Sequence, residues 1–180
     1  MTPPPRVLPA APVTRARSAC GALRRTGWRT PRRMFRSSKR FLGFPCAHRR
    51  YAHEGRCAWV HGYSRSFEVW FECAERTPLT GFVMDFGGLK AVQRWLEERF
   101  DHTLLLDELD PLLPDFRALE EKGACKLTVL PDVGMEGTAK YVFDEVDAMV
   151  RALTGGRVFV YSVECRENEK NSAIYMRDDG

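Results

Sequence analysis

An α+β protein, an antiparallel sheet with two helices packed on one face, is the fold class that this sequence predicts. Three observations carry it. Residues 35–48 and 61–74 alternate apolar and polar side chains with the period of two of a half-buried strand. Residues from about Gly88 to Phe100, and from about Glu136 to Leu153, repeat their apolar side chains at helical spacing instead. The order, three extended segments, a helix, a short strand, a helix and a strand, lacks the regular strand–helix alternation of a parallel sheet.

The first strand puts Leu42, Phe44, Cys46 and His48 on one face, and Pro45 allows an edge or a bulge. A polar loop, 49–60, carries His53, Glu54, Gly55 and Cys57. The second strand aligns His61, Tyr63, Arg65, Phe67, Val69, Phe71 and Cys73, so a core face opens into a pocket at its His61 end. Thr77-Pro78 marks a turn, and Gly81 to Phe86 reads as a short extended segment. The first helix shows the stripe Leu89, Val92, Leu96, Phe100, followed at once by Asp101-His102. Leu104 to Leu106 is a short buried stretch. Residues 107–124 are acidic and proline-broken, with a weak helix at about 115–122, and 125–130 alternates as a strand. The second strong helix, with Ala139, Val142, Val146, Val150 and Leu153 on its stripe, stops at Gly155-Gly156. Residues 157–164 form the last clear strand before a polar tail.

With 180 residues and 44% apolar side chains, the chain is sized for one domain with a core of its own. Six scattered cysteines without a C-x-x-C pair argue against a disulfide framework or a zinc ribbon, and point to a reducing, cytoplasmic setting. No apolar run reaches the ~20 residues of a membrane helix. The net charge of +4 belongs to residues 1–33, which hold eight arginines and no acid; without them the remainder, 34–180, is at −4, which gives no basis for a nucleic-acid partner. That leader is expected to be disordered. Its composition mimics a transit peptide, but patterned sequence begins directly after Met34, which favours Met34 as the true start.

The chain has four histidines, 48, 53, 61 and 102. His48 ends the first strand and His61 begins the second, so an antiparallel pairing brings two imidazoles together, an arrangement that suits zinc. A cysteine on the loop between them, Cys57, can serve as a thiolate base or nucleophile. Asp101 can fix the tautomer of His102 and make it a proton relay. Against these stand blander readings: a packed strand histidine for His48 or His61, a tolerated loop cysteine for Cys57, a favourable helix-end charge for His102, and a salt bridge for Glu164 on the last strand. The other cysteines read as small buried hydrophobes.

His48-x8-Cys57-x3-His61-Gly62-Tyr63, then Thr80-Gly81-Phe82-Val83-Met84-Asp85-Phe86-x2-Leu89-Lys90, then Asp101-His102-x2-Leu105 and the late Glu164, resembles the 6-pyruvoyltetrahydropterin synthase / 6-carboxytetrahydropterin synthase family over about Phe35 to Tyr175. The resemblance implies a tunnelling fold, a four-stranded antiparallel sheet with two helices, whose subunits form trimers that stack into a homohexamer with active sites at subunit interfaces. It implies a small-molecule pterin substrate, 7,8-dihydroneopterin triphosphate, converted by bacterial members to 6-carboxytetrahydropterin on the way to queuosine and other deazapurines. It places His48 and His61 on Zn2+ ligands, Tyr63 at the third ligand position, Cys57 on the base or nucleophile, Asp101 and His102 on the relay, and Glu164 on the carboxylate that grips the pterin.

Three departures stand out. The family's H-G-H is His61-Gly62-Tyr63 here; its P-T-x-E-N block is replaced by 133–138; its K-E-T is Val163-Glu164-Cys165. A phenol must lose its proton to ligate well, so weak zinc binding is expected, with His53 as a substitute ligand. Two function classes follow: a zinc-dependent carbon–oxygen lyase of the 6-carboxytetrahydropterin synthase type, and a degenerate paralogue that binds a pterin or purine without this reaction. An enzyme acting on a different pterin or purine is a third.

Overall fold

A computed structural model describes residues 33–178, within one compact unit, Arg32–Gly180. The expectations for the leader therefore lie outside the described residues, save for Arg33. The elements are β1 (Phe35–His48), β2 (His61–Cys73), α1 (Lys90–Phe100), β3 (Thr103–Asp107), α2 (Leu113–Glu121), β4 (Leu127–Leu130), α3 (Met135–Thr154), β5 (Phe159–Arg166) and β6 (Ser172–Met176).

The long β1–β2 pair is antiparallel, as alternation predicts, and runs in register from Phe35 opposite Cys73 to His48 opposite His61. One bulge interrupts it between Phe41 and Phe44, at Gly43, whose φ of +83° suits a residue without a Cβ. The extra residue changes the parity of the strand. Phe41 and Phe44 both point into the core, and Leu42, expected on that face, is 66% exposed. On β2 the predicted face is the buried one from Arg65 to Cys73.

The four-stranded, two-helix expectation is corrected. The sheet has six strands in the order β4-β3-β1-β2-β5-β6, and it is mixed: β3 runs parallel to β1 and to β4. The Leu104–Leu106 stretch is a buried interior strand, which is why it has no alternation to read. The stretch read as a polar tail supplies the edge strand β6, whose four consecutive apolar residues, Ala173 to Met176, do not alternate with polar ones although Ile174 and Met176 are exposed. The extended segment expected at 81–86 is no sheet strand. There the Thr77 hydroxyl accepts the Phe82 N–H at 2.9 Å and Asp85 accepts the Gly87 N–H at 2.9 Å, and these local bonds turn the chain into a 3-10 turn at Phe86–Leu89.

Helices α1 and α3 bury Val92, Leu96 and Phe100, and Val142, Val146 and Val150, in a single core with the inner faces of β1, β2 and β5. Gly155, at φ +59°, ends α3 in the left-handed conformation expected of a glycine after a helix. The third helix, α2, has no fully buried residue and borders β4. A bulge in the β2–β5 ladder between Trp70 and Phe71 moves the buried set of β5 from Val160 and Ser162 to Val163 and Cys165. No helix among the described residues is long and apolar enough to cross a membrane.

Candidate active site

The in-register end of the β1–β2 ladder sets the two histidines opposite each other. The imidazoles of His48 and His61 have centroids 4.4 Å apart, and Tyr63 closes the group at 5.5 Å from His61 and 6.0 Å from His48. His61 Nδ1 lies 2.7 Å from the Trp59 carbonyl, so Nδ1 carries the proton and Nε2 is left with a free lone pair. His48 is buried; its Nε2 is 3.2 Å from Glu167 Oε1, and its Nδ1 is enclosed without a hydrogen-bond partner. Among the described residues no three His, Cys, Asp or Glu side chains already meet at one point as a metal-holding group.

The loop between the two strands is tied down on both sides. Arg49 pairs with the buried Asp110 at 3.0 Å, and Arg50 pairs with Asp132. The Arg50 N–H donates to the Cys57 carbonyl at 2.7 Å, which draws Cys57 level with a residue two beyond His48. Cys57 sits in a single 3-10 turn, Arg56–Ala58, with its side chain exposed. His53 turns inward on its own loop, where Nδ1 accepts the Gly55 N–H at 2.8 Å, and is not brought to the histidine pair.

Asp101-His102 follows α1 as predicted, and Asp101 closes the helix through its N–H to the Glu97 carbonyl. His102 has φ +54°, the one positive φ at a non-glycine among the described residues, and its N–H donates to the Pro45 carbonyl on β1 at 2.7 Å. A strained backbone is thus held by a strand that also carries His48. The His102 Nδ1 lies 2.7 Å from Asp101 Oδ1, which orients the ring and leaves Nε2 outward. Tyr63 and His102 line one open groove of about 490 Å³. A second hollow of about 530 Å³, between Phe35 and 81–86, contains none of the predicted site residues.

Glu164 is not brought to the histidines. Its neighbour across the ladder is Glu68, whereas Cys165 pairs with the core residue Phe67, so Glu164 lies on the outer face of the sheet. There it accepts Arg166 at 2.7 Å. Burial alone would push the Glu68 carboxyl up, but hydrogen bonds from Arg40 and Ser38 and the nearby Arg166 hold it below the usual range.

The chain that carries this constellation, C-x3-H-G with a cross-strand histidine and a D-H pair on a strained turn, matches a known family in sequence. The 6-pyruvoyl tetrahydropterin synthase family profile covers residues 38–178. The chain belongs to that family. Among curated proteins it is 36% identical over 72 residues to 6-carboxy-5,6,7,8-tetrahydropterin synthase of Rickettsia felis, an alignment covering 39% of this chain and 51% of that protein. It is 29% identical over 126 residues to the enzyme of the same name from Aquifex aeolicus, covering 68% of this chain and 77% of that one. The chain spans about half the length of the first of these relatives. Among solved structures, an uncharacterized protein from Wolinella succinogenes aligns with TM-score 0.67 at 24% identity, over 81% of this chain and 99% of that one. Caenorhabditis elegans 6-pyruvoyl tetrahydropterin synthase aligns at 0.56 and 21%, over 81% and 97%. These likenesses show that the family's tunnelling fold holds here with three helices and six strands.

Two site residues were not singled out from the sequence. Glu167, just past β5, lies in what reads as a polar tail, and it reaches His48 because β5 pairs beside β2. Arg65 falls on the core face by alternation, but alternation does not reveal a fully buried guanidinium. Its Nη1 donates to Thr138 Oγ1 at 2.7 Å and its Nη2 to the Val133 carbonyl at 2.8 Å, while Nε has no partner. Thus the segment 133–138, which departs from the family pattern, pins a cation beneath the histidine pair. Burial pushes the Cys165 thiol up to about 12 and raises Cys46 as well, which leaves both as inert core groups.

Burial, then the charge of Arg65, then His61 and Arg50, push His48 from 6.5 down to about 3. The folded protein therefore holds His48 neutral where the unfolded chain would protonate it. The corresponding stability is fully present above about pH 6.5 and is lost as the pH falls toward 3. Between pH 7 and 4 the loss amounts to about 3 kcal/mol. Urea unfolding of the metal-free protein and of His48→Gln at pH 7, 5.5 and 4 measures it: the wild type is expected to lose that much more than the variant. Parallel pH dependences would remove His48 as the cause.

Proposed function

We propose that the protein is a carbon–oxygen lyase of the 6-carboxytetrahydropterin synthase type, acting on 7,8-dihydroneopterin triphosphate in a queuosine, deazapurine or pterin route. The observation that supports it most is the gathering at one end of the β1–β2 ladder of His48 and His61, the anchored Cys57 loop, and His102 on its strained turn. Cys57 is the group that takes a proton from the substrate side chain. His102 handles the opposite transfer through Nε2, with Asp101 holding Nδ1 and stabilising the protonated ring. The free Nε2 of His61 and the Nε2 of His48 fit a divalent cation, Zn2+ by preference, with Tyr63 beside them. Such an ion supplies Lewis acidity to a substrate hydroxyl or developing carbonyl.

The position of Glu164 on the outer face favours a site completed between subunits, in a homohexamer built as a dimer of trimers. Its carboxylate would there accept the N–H donors of the pterin edge in exchange for Arg166. Incubation of the zinc-supplemented protein, with its mass checked by light scattering, with 7,8-dihydroneopterin triphosphate and mass-spectrometric product analysis tests the reading. Release of triphosphate with a 6-carboxytetrahydropterin product is expected; no turnover by a metal-replete oligomer overturns it. Tyr63 in place of a third imidazole favours the second reading, a binding protein, which predicts a pterin bound and returned unchanged.

A further inference from the structure

We propose that Glu167 is the third protein ligand of the metal centre, so that the site is His48, His61 and a carboxylate, and that Tyr63 is a wall of the groove. This rests on the metal reading of the two histidines given above. Four observations carry it. The Glu167 carboxylate is 13% exposed, and among the described residues the group it faces is the neutral His48 imidazole, with no lysine or arginine within salt-bridge range. A largely buried carboxylate whose nearby cation, Arg65, makes no salt bridge to it is what a divalent ion compensates. Glu167 Oε1 stands 3.2 Å from His48 Nε2. Two ligands about 2.0–2.2 Å from a tetrahedral zinc lie about that far apart, so this pair already spans one edge of a coordination shell. His61 has its Nδ1 proton committed to a backbone carbonyl, the outer contact by which metal-binding imidazoles are oriented, and presents Nε2. Finally, the hairpin that carries Glu167 is closed by its own backbone N–H to the Asn171 carbonyl at 3.2 Å, so the residue is positioned by the sheet.

The site also has a built-in weakness. In the metal-free state His48 Nε2–H donates to Glu167; a metal at Nε2 moves that proton to Nδ1, which is buried without an acceptor. A buried unsatisfied donor opposes binding, so affinity falls below that of a site whose imidazoles are both backed by acceptors. The His61 ring and the Glu167 carboxylate must also close up, because no three ligands meet beforehand among the described residues.

Zinc titration of the full metal-free chain against a chromophoric chelator, for wild type, Glu167→Gln and Tyr63→Phe, tests the assignment. Glu167→Gln is expected to weaken zinc by at least the ~10–100-fold that loss of a mere outer-shell partner causes, and to alter the d–d spectrum of the cobalt-substituted protein. Tyr63→Phe should stay within about twofold. Equal affinity in wild type and Glu167→Gln, or a loss in Tyr63→Phe matching that of Glu167→Gln, overturns it. Should Glu167→Gln not fold, Cu2+ added to the wild type decides: a phenolate charge-transfer band places Tyr63 on the metal and overturns the proposal, and its absence with metal bound supports it. A wild type that takes up no zinc overturns the ligand assignment too, while product formation in the pterin assay then stands or falls separately.

Discussion

Replacing Cys57 by alanine is expected to lower turnover of 7,8-dihydroneopterin triphosphate by about 10²–10⁴-fold, the usual loss when a positioned acid or base is removed. The fold should not notice. Cys57 lies in a three-residue turn with no buried side chain, its thiol is exposed, and the anchoring bond to Arg50 uses its backbone carbonyl, which alanine keeps. Surface changes of this kind stay within about 0.5 kcal/mol, so the melting temperature and the zinc content should match the wild type. The measurement is product formation alongside calorimetric pterin binding. Lost turnover with binding intact assigns chemistry to the thiol. Turnover near the wild-type rate would exclude it as base and nucleophile. Binding without product in both proteins would favour the binding-protein reading.

The largest effect on stability is expected from Phe100→Ala. Phe100 is fully buried at the end of α1, with its ring 4.8 Å from Phe67 of β2 and 6.2 Å from Trp95. Phe67 in turn lies 5.8 Å from Phe44 of β1. Truncation leaves a cavity where helix and both long strands meet, at a cost of about 3–5 kcal/mol. That is a large part of the ~5–15 kcal/mol of a typical domain, and should lower the melting temperature by about 10 °C or more. Because Asp101 and His102 follow directly, the strained turn loses its support as well. Turnover per folded molecule should therefore fall although Phe100 touches no substrate group. Urea denaturation gives the first quantity, and activity normalised to folded protein the second. A cost below about 1 kcal/mol would show that α1 is held by its other contacts.

Much of the site was legible because its residues sit at the ends of periodic segments. Alternation over 35–48 and 61–73 is enough to join two strands, and joining them places His48 against His61 whatever the rest of the chain does. Helical spacing through Phe100 likewise fixes where α1 stops and hence where His102 falls. The C-x3-H-G and D-H motifs carried the family for the same reason: they are local in sequence. What periodicity could not supply were contacts between distant segments and changes of phase. The Gly43 bulge reversed the side of Leu42, and local hydroxyl and carboxylate bonds at Thr77 and Asp85 overrode an extended segment. Buried β3 and exposed β6 lack the alternation by which a half-buried strand is seen.

Two charged side chains beside the histidine pair, Arg65 and Glu167, were hidden for one shared reason. Arg65 owes its burial to a segment 68–73 residues away, and Glu167 reaches His48 only because β5 folds back beside β2. A sequence states which side chains exist and how each lies relative to its strand or helix. Whether a polar one is solvated or enclosed, and which ion it faces, depends on free energies of desolvation and pairing that are set only when the sheet closes. The amino-acid sequence alone thus determined the family, the mixture of strands and helices, and the histidine pair. The tertiary structure decided the mixed six-stranded sheet, the outer-face position of Glu164, and the carboxylate that stands beside His48.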